Sequence, residues 1–306
     1  MKTTAESATQ LASLIDVSKP QKILADAKRL FKLSYPRADF KPVEKLFLLT
    51  KRLYDGRFPG YLACAVEYHN YAHSVAVFEA VSCLLDGCLL SGLAMSPELA
   101  GETLVAALLH DTGYLREERE KTGTGAQYTQ IHVDRSAAFT RREASAFGLD
   151  EKSADRIARM ILGTDLARQW KDLSFESDEE KLGAEILAAS DLLGQMADRA
   201  YLEKLLFLYY EFREAGIGGY DTSFDILKKT AAFYKSTKDR LGGPLGRVSG
   251  KAKEHFRDRH GLDRDLYREA IERQMAYLDS IIADDKTNFR TKLKRIDWDA
   301  VEGRGA

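Results

Sequence analysis

Three of the chain's six histidines fall in two short stretches, Tyr68-His69-Asn70-Tyr71-Ala72-His73 and His110-Asp111, and a fourth, His132, follows soon after. Histidines that fill a core or decorate a surface need not gather this way. Imidazole nitrogens and carboxylate oxygens together suit one or two divalent ions, Mn, Fe, Ni, Zn or Mg. The lack of a Cys-x-x-Cys argues against a structural zinc site. The spacing of His69 and His73 predicts two imidazoles one turn apart on one helix face. Taken alone, His-x-x-x-His also describes two hydrogen-bonded structural histidines; its conjunction with His110-Asp111 narrows the reading. A further carboxylate is needed, and Asp191 qualifies. It ends the apolar turn Leu187-Ala188-Ala189-Ser190, where an unpaired inward charge would not be tolerated.

The elements that must hold these residues read as helices. Five of the six prolines lie in the first third, and the later chain is rich in Ala, Leu, Glu, Lys and Arg. No strand pattern of alternating apolar and polar residues bounded by turns stands out. The expected helices run over about 4–16, 20–33, 41–55 and 69–90, the last with the stripe His69, Ala72, His73, Ala76, Ala80. Ser96-Pro97 opens a helix that is apolar on every face and delivers His110-Asp111 at its end, with Gly113 as terminator. Residues 116–128 read as a mobile loop. Helices are then expected over about 129–147, from Asp150 to 161, from a Ser177-x-x-Glu180 capping box through Asp191, and over 195–215, 223–240 and 263–284.

The whole chain has 306 residues and net charge −1, which gives no overall field for nucleic acid or anionic membrane. Three cysteines make no disulfide framework and point to a reducing compartment, with Cys83 and Cys88 as buried small hydrophobes. The N-terminus lacks an apolar signal core, and no uncharged apolar run approaches the roughly 20 residues of a membrane span. A cytoplasmic protein without membrane or nucleic-acid partners is expected. The division expected is an N-terminal helical extension (1–40), a catalytic domain (41–242) and a C-terminal helical extension (243–306) packed on it.

His…His-Asp…Asp in this order on a helical chain resembles the HD superfamily of metal-dependent phosphohydrolases, and is most similar to the catalytic domain of the cyclic-nucleotide phosphodiesterases. Tyr68-His69-Asn70-x-x-His73 looks like that family's first metal motif. Met160-Ile161-Leu162-Gly163-Thr164-Asp165 resembles its Leu-Ala-Thr-Asp stretch, and Ala189-Ser190-Asp191-Leu192 its Ala-Asp-Leu motif. The likeness covers residues 45–240. It implies an all-α, multi-helix, phosphodiesterase-like bundle in which His73, His110, Asp111 and Asp191 ligate the first metal. His69 would then be the general acid rather than a ligand, with Thr164 and Asp165 in supporting positions. The implied reaction is hydrolysis of a small phosphoester, a nucleotide being the natural candidate. The metal lowers the pKa of a bound water, Asp111 is able to span two ions, and His69 protonates the leaving group. Asn70 either orients a partner or caps the helix start.

The chain departs from the phosphodiesterases at two places. Thr112-Gly113-Tyr114 replaces their x-Asp-His, and no glutamine to grip a purine occurs between Gln195 and Gln274. His132 resembles the second-metal histidine of many bacterial HD proteins; a helix-start histidine without a role is the alternative. Tyr114-Leu115-Arg116 departs from the Glu-Asp of the guanosine-tetraphosphate hydrolases. Weak phosphate-contact candidates are Arg135, Arg141, Arg142 and Lys121. Two rival readings remain, a di-iron HD-type oxygenase and a non-catalytic ligand-sensing HD domain. The oligomeric state stays open, a homodimer included.

Overall fold

The computed structural model describes residues 9–284 and 286–296. Among these it is all-α: thirteen α-helices, four short 3-10 turns and no strand, the one β-type contact being a bridge between Tyr61 and Glu117. The helices are α1 (Leu11–Leu14), α2 (Pro20–Ser34), α3 (Lys41–Tyr54), α4 (Tyr71–Leu90), α5 (Pro97–Leu109), α6 (His132–Arg142) and α7 (Ala144–Phe147). There follow α8 (Glu151–Leu162), α9 (Asp178–Met196), α10 (Tyr201–Glu214), α11 (Ser223–Gly242), α12 (Ala252–His260) and α13 (Leu266–Ile282). Of the expected 4–16 helix, residues 1–8 lie outside the described residues and Leu11–Leu14 forms its single turn. The expected 129–147 helix is two, interrupted at Glu143. The helix expected from 195 starts at Tyr201, and α12 was not anticipated.

The centre is α4, buried from His73 to Cys88 and packed against α5, α9, α2 and α12. By length and hydropathy α4 would pass for a membrane span, but 89% of its most apolar window is buried inside the fold. α5 and α9 carry nearly as much apolar surface and lie against α4 and each other. At ~25 cal/mol per Å² of apolar surface removed from water, such all-round burial outweighs the modest helix propensities of Val, Ser and Cys in α4. Glycine permits close approach on α4: a Cβ at Gly87 would stand 1.9 Å from the Lys251 carbonyl oxygen, and one at Gly194 on α9 would stand 3.1 Å from the Ala76 carbonyl oxygen. One continuous core runs from Leu11 to Leu293, so both expected extensions contribute side chains to the same interior.

Local signals set several helix ends. Ser96 Oγ accepts from the Leu99 amide and Asp150 from the Ser153 amide, while Gly148 closes α7 at φ +73°. Ser177 caps α9 by accepting from Glu180 N, but the Glu180 carboxylate turns to Arg159 instead of completing the box.

Candidate metal centre

Two helix ends and one helix interior bring the site together. His73 stands in the first turn of α4, His110 is the residue after α5, Asp111 follows it, and Asp191 projects from α9. The start of α4 corrects the sequence reading. Asn70 is its N-cap, with Oδ1 accepting from the amides of Ala72 (3.0 Å) and His73 (3.3 Å). His69 therefore precedes the helix instead of lying one turn below His73 on its face. The Asn70 side chain ends the helix there by satisfying two of the first-turn amides that have no intrahelical acceptor. Gly113 likewise does not end α5 by a left-handed turn; it makes room, since a Cβ there would meet the His132 carbonyl oxygen at 2.0 Å.

The donor atoms converge as ligands around a missing centre would. His73, His110 and Asp111 offer atoms all within 4.8 Å of one another, and all three residues are buried. His73 Nε2 lies 3.2 Å from His110 Nε2, and each lies 3.2 Å from Asp111 Oδ2. Asp191 Oδ1 adds a fourth donor, 3.3 Å from His73 Nε2 and 3.7 Å from His110 Nε2. Metal–ligand bonds of about 2.1 Å place neighbouring ligand atoms roughly 3–3.5 Å apart. Asp111 Oδ2 is buried without a hydrogen bond of acceptable geometry, although two imidazole nitrogens stand beside it. His110 Nδ1–H donates to the Ala107 carbonyl (2.9 Å), which leaves Nε2 with its lone pair toward the centre. These residues suit a divalent ion.

Burial opposes charge on His73 and His110, yet Asp111 and Asp191 outweigh it and raise both histidines' pKa values. The same contacts hold Asp111 and Asp191 below the usual carboxylate range against the effect of burial. An ion held by these carboxylates would compete with protons on the two imidazoles, so metal binding should release protons.

A second position adjoins the first. His132 Nδ1–H donates to the Thr129 carbonyl (2.6 Å), and its Nε2 lies 3.7 Å from the other Asp111 oxygen, Oδ1. Asp111 thus faces two imidazoles with one oxygen and a third imidazole with the other. Burial, ahead of the opposing pull of Asp111, lowers the His132 pKa and favours the neutral ring that ligation requires.

His69 is held from elsewhere. Its Nδ1 lies 2.7 Å from Glu211 Oε2 on α10, and the other Glu211 oxygen accepts from the Tyr68 amide at 2.7 Å. The Tyr114 ring, 1% exposed, lies against two imidazoles that are themselves 6.0 Å apart: His69 stacks on it at 4.3 Å and 9°, His132 at 4.6 Å and 27°. Reasoning from the sequence missed Glu211 and Tyr114. A carboxylate among the Leu, Tyr and Phe residues of α10 was the available signal for the first, while nothing local marks the second.

The remaining sequence candidates are placed as follows. Thr164 is buried and its hydroxyl donates back to the Ile161 carbonyl. Asp165 accepts from the Ala167 amide and from Arg168, shaping its own turn. Arg135 spends its guanidinium on the carbonyls of Gly113 and Leu115 and on Glu120, with the Tyr128 ring beneath it. Arg141 pairs with Asp155, Arg142 with Tyr61 and Glu143, and Lys121 is exposed. All three arginines are engaged by groups of the protein itself. The 116–128 loop is anchored, because Thr124 bonds Glu214 through both its amide and its hydroxyl.

A family model described as Npun_R2479-like matches residues 118–240, less than half of the chain. That span holds His132, Asp191 and Glu211 but stops short of His69, His73, His110 and Asp111. No curated protein matches the chain.

Proposed function

We propose that the chain is a metal-dependent phosphohydrolase of small phosphoesters, nucleotides among them, akin to the HD superfamily that its motifs resemble. The observation that supports this most is Asp111, a buried carboxylate with three imidazole nitrogens around its two oxygens and, among the described residues, no Lys or Arg ion-paired to it. His73, His110, Asp111 and Asp191 would hold one divalent ion, and Asp111 with His132 would help hold a second. An ion bound there supplies Lewis acidity and an activated water for attack at phosphorus.

The chain's own part is positioning and proton transfer. The Glu211 carboxylate accepts the Nδ1 proton of His69, which leaves Nε2 as the ring atom that holds and hands over a proton. Tyr114 fixes the His69 plane from one side, and Tyr68 is tied to Gln195 by its hydroxyl at 2.8 Å. A departing alkoxide needs that proton, and a well-placed general acid is worth about 10²–10⁴-fold in rate.

Elemental analysis of protein purified without added metal should find a transition ion or Mg, followed by a screen of cyclic and acyclic phosphoesters with Mn, Mg, Ni and Fe. His69→Ala should keep the metal and lose about 10²–10⁴-fold in turnover. Protein that neither contains nor takes up metal would end the proposal; iron with oxygen consumption would replace it by the oxygenase reading.

A further inference from the structure

Most half-buried arginines in this fold come with carboxylates, as Arg156 does with Glu102, Arg159 with Glu180 and Arg259 with Asp86. Arg240, near the end of α11, does not. Its Nη2 donates to the carbonyls of Gly163 (2.8 Å) and Asp165 (3.2 Å), and no carboxylate among the described residues forms an ion pair with it. Its Nε is buried without an acceptor. Beside it, the Trp170 ring lies 5.9 Å from the guanidinium carbon, and the indole Nε1 is also buried without an acceptor. Two neighbouring donors without acceptors, one of them a cation, are costly for a folded chain to keep. Burial pushes the Arg240 pKa down, and the carboxylates acting against that are Asp165 and the metal-site Asp191. The carbonyls Arg240 binds follow directly on α8, which packs against both α6, the helix of His132, and α9, the helix of Asp191.

We propose that Arg240 and Trp170 form an anion subsite beside the metal centre, which takes a second anionic group of the substrate. The ligand class is a compound with at least two linked phosphoryl groups, a pyrophosphate or nucleoside polyphosphate. One group faces the metal and the next forks onto the guanidinium. The subsite's role in turnover rests on the phosphohydrolase reading, but its existence is tested by binding alone.

Orthophosphate and pyrophosphate are titrated calorimetrically into Mn-loaded protein at fixed free Mn, with wild type, Arg240→Met, Arg240→Lys and Trp170→Phe. The Arg240→Met change should weaken pyrophosphate roughly ten-fold or more and leave orthophosphate within about two-fold. Arg240→Lys should fall between it and wild type. Trp170→Phe keeps the ring and removes one donor, so it should cost pyrophosphate a few-fold. If Arg240→Met fails to fold, as its thermal melt would show, the other two variants carry the test. Equal losses for both ligands, or pyrophosphate binding unchanged in every folded variant, would overturn the subsite. A wild type that hydrolyses no phosphoester would count against the phosphohydrolase reading and leave this comparison standing.

Discussion

Two buried clusters in this protein join histidine to aspartate, and they are opposites. In the first, on the far part of α4, Asp86 accepts from His255 Nδ1 (2.8 Å) and, through both oxygens, from Arg259 (3.0 and 2.7 Å). Burial would raise its pKa, but His255 and Arg259 hold it down. Every Asp86 oxygen has a partner and the charge is balanced within the protein. In the second, at the start of the same helix, His73 meets His110, Asp111 and Asp191 with no Lys or Arg ion-paired to either aspartate among the described residues, and Asp111 Oδ2 has no proper hydrogen bond. Saturated, charge-balanced contacts describe a strut. Clustered imidazoles and carboxylates whose charge is balanced by exchangeable protons or a cation, and by no Lys or Arg ion pair among the described residues, describe a site.

That contrast can be broken most forcefully at Asp111. Asp111→Ala should lose bound metal by elemental analysis and turnover by at least about 10³-fold, since ligand and bridge vanish together. Its metal-free thermal melt should change far less than its activity. The reverse is expected at the strut. Asp86→Ala strands two partners in the interior and should cost about 3–5 kcal/mol in a denaturant melt while leaving metal stoichiometry intact. If Asp86→Ala instead stripped the metal, the two clusters would not be independent.

A smaller effect sharpens the comparison between them. Glu79, on α4 between the clusters, has Oε2 buried without a partner, and burial, with Asp26 adding to it, pushes its pKa up from 4.5 to about 8. The folded chain therefore holds a proton there that the unfolded chain gives up above pH 4.5. This contribution to stability is complete below pH 4.5 and is lost as pH rises through 8, a span worth at most about 5 kcal/mol. Glu79→Gln should flatten the fall in melting temperature between pH 5 and pH 8 relative to wild type. An identical pH slope in the two proteins would show that Glu79 is ionised in the fold.

Much of the architecture was legible because its causes are local. Proline at the starts of α2 and α5, the Ser96, Asp150 and Ser177 caps, and glycine at 148 act within one turn, so the chain itself displays them. The boundary at Asn70 was misread for an instructive reason. The i, i+3, i+4 stripe continued through His69, and periodicity carries no mark of the residue where a cap takes over. The helix Ala252–His260 escaped notice because it is largely charged and buries few residues, Ala252, His255 and Phe256, against α4.

The identity of the donors was written in the sequence: two imidazoles, a His-Asp pair and an aspartate ending an apolar turn are chemistry that side-chain type and order reveal. What they surround, and what surrounds them, was decided by the tertiary structure. Glu211 reaches His69 across 142 residues, Tyr114 lies against both His69 and His132, and Arg240 forms no ion pair with a carboxylate among the described residues. Each depends on how apolar helices pack. That packing is driven by non-directional burial, so a helix's own sequence does not record which neighbour its few polar side chains will meet.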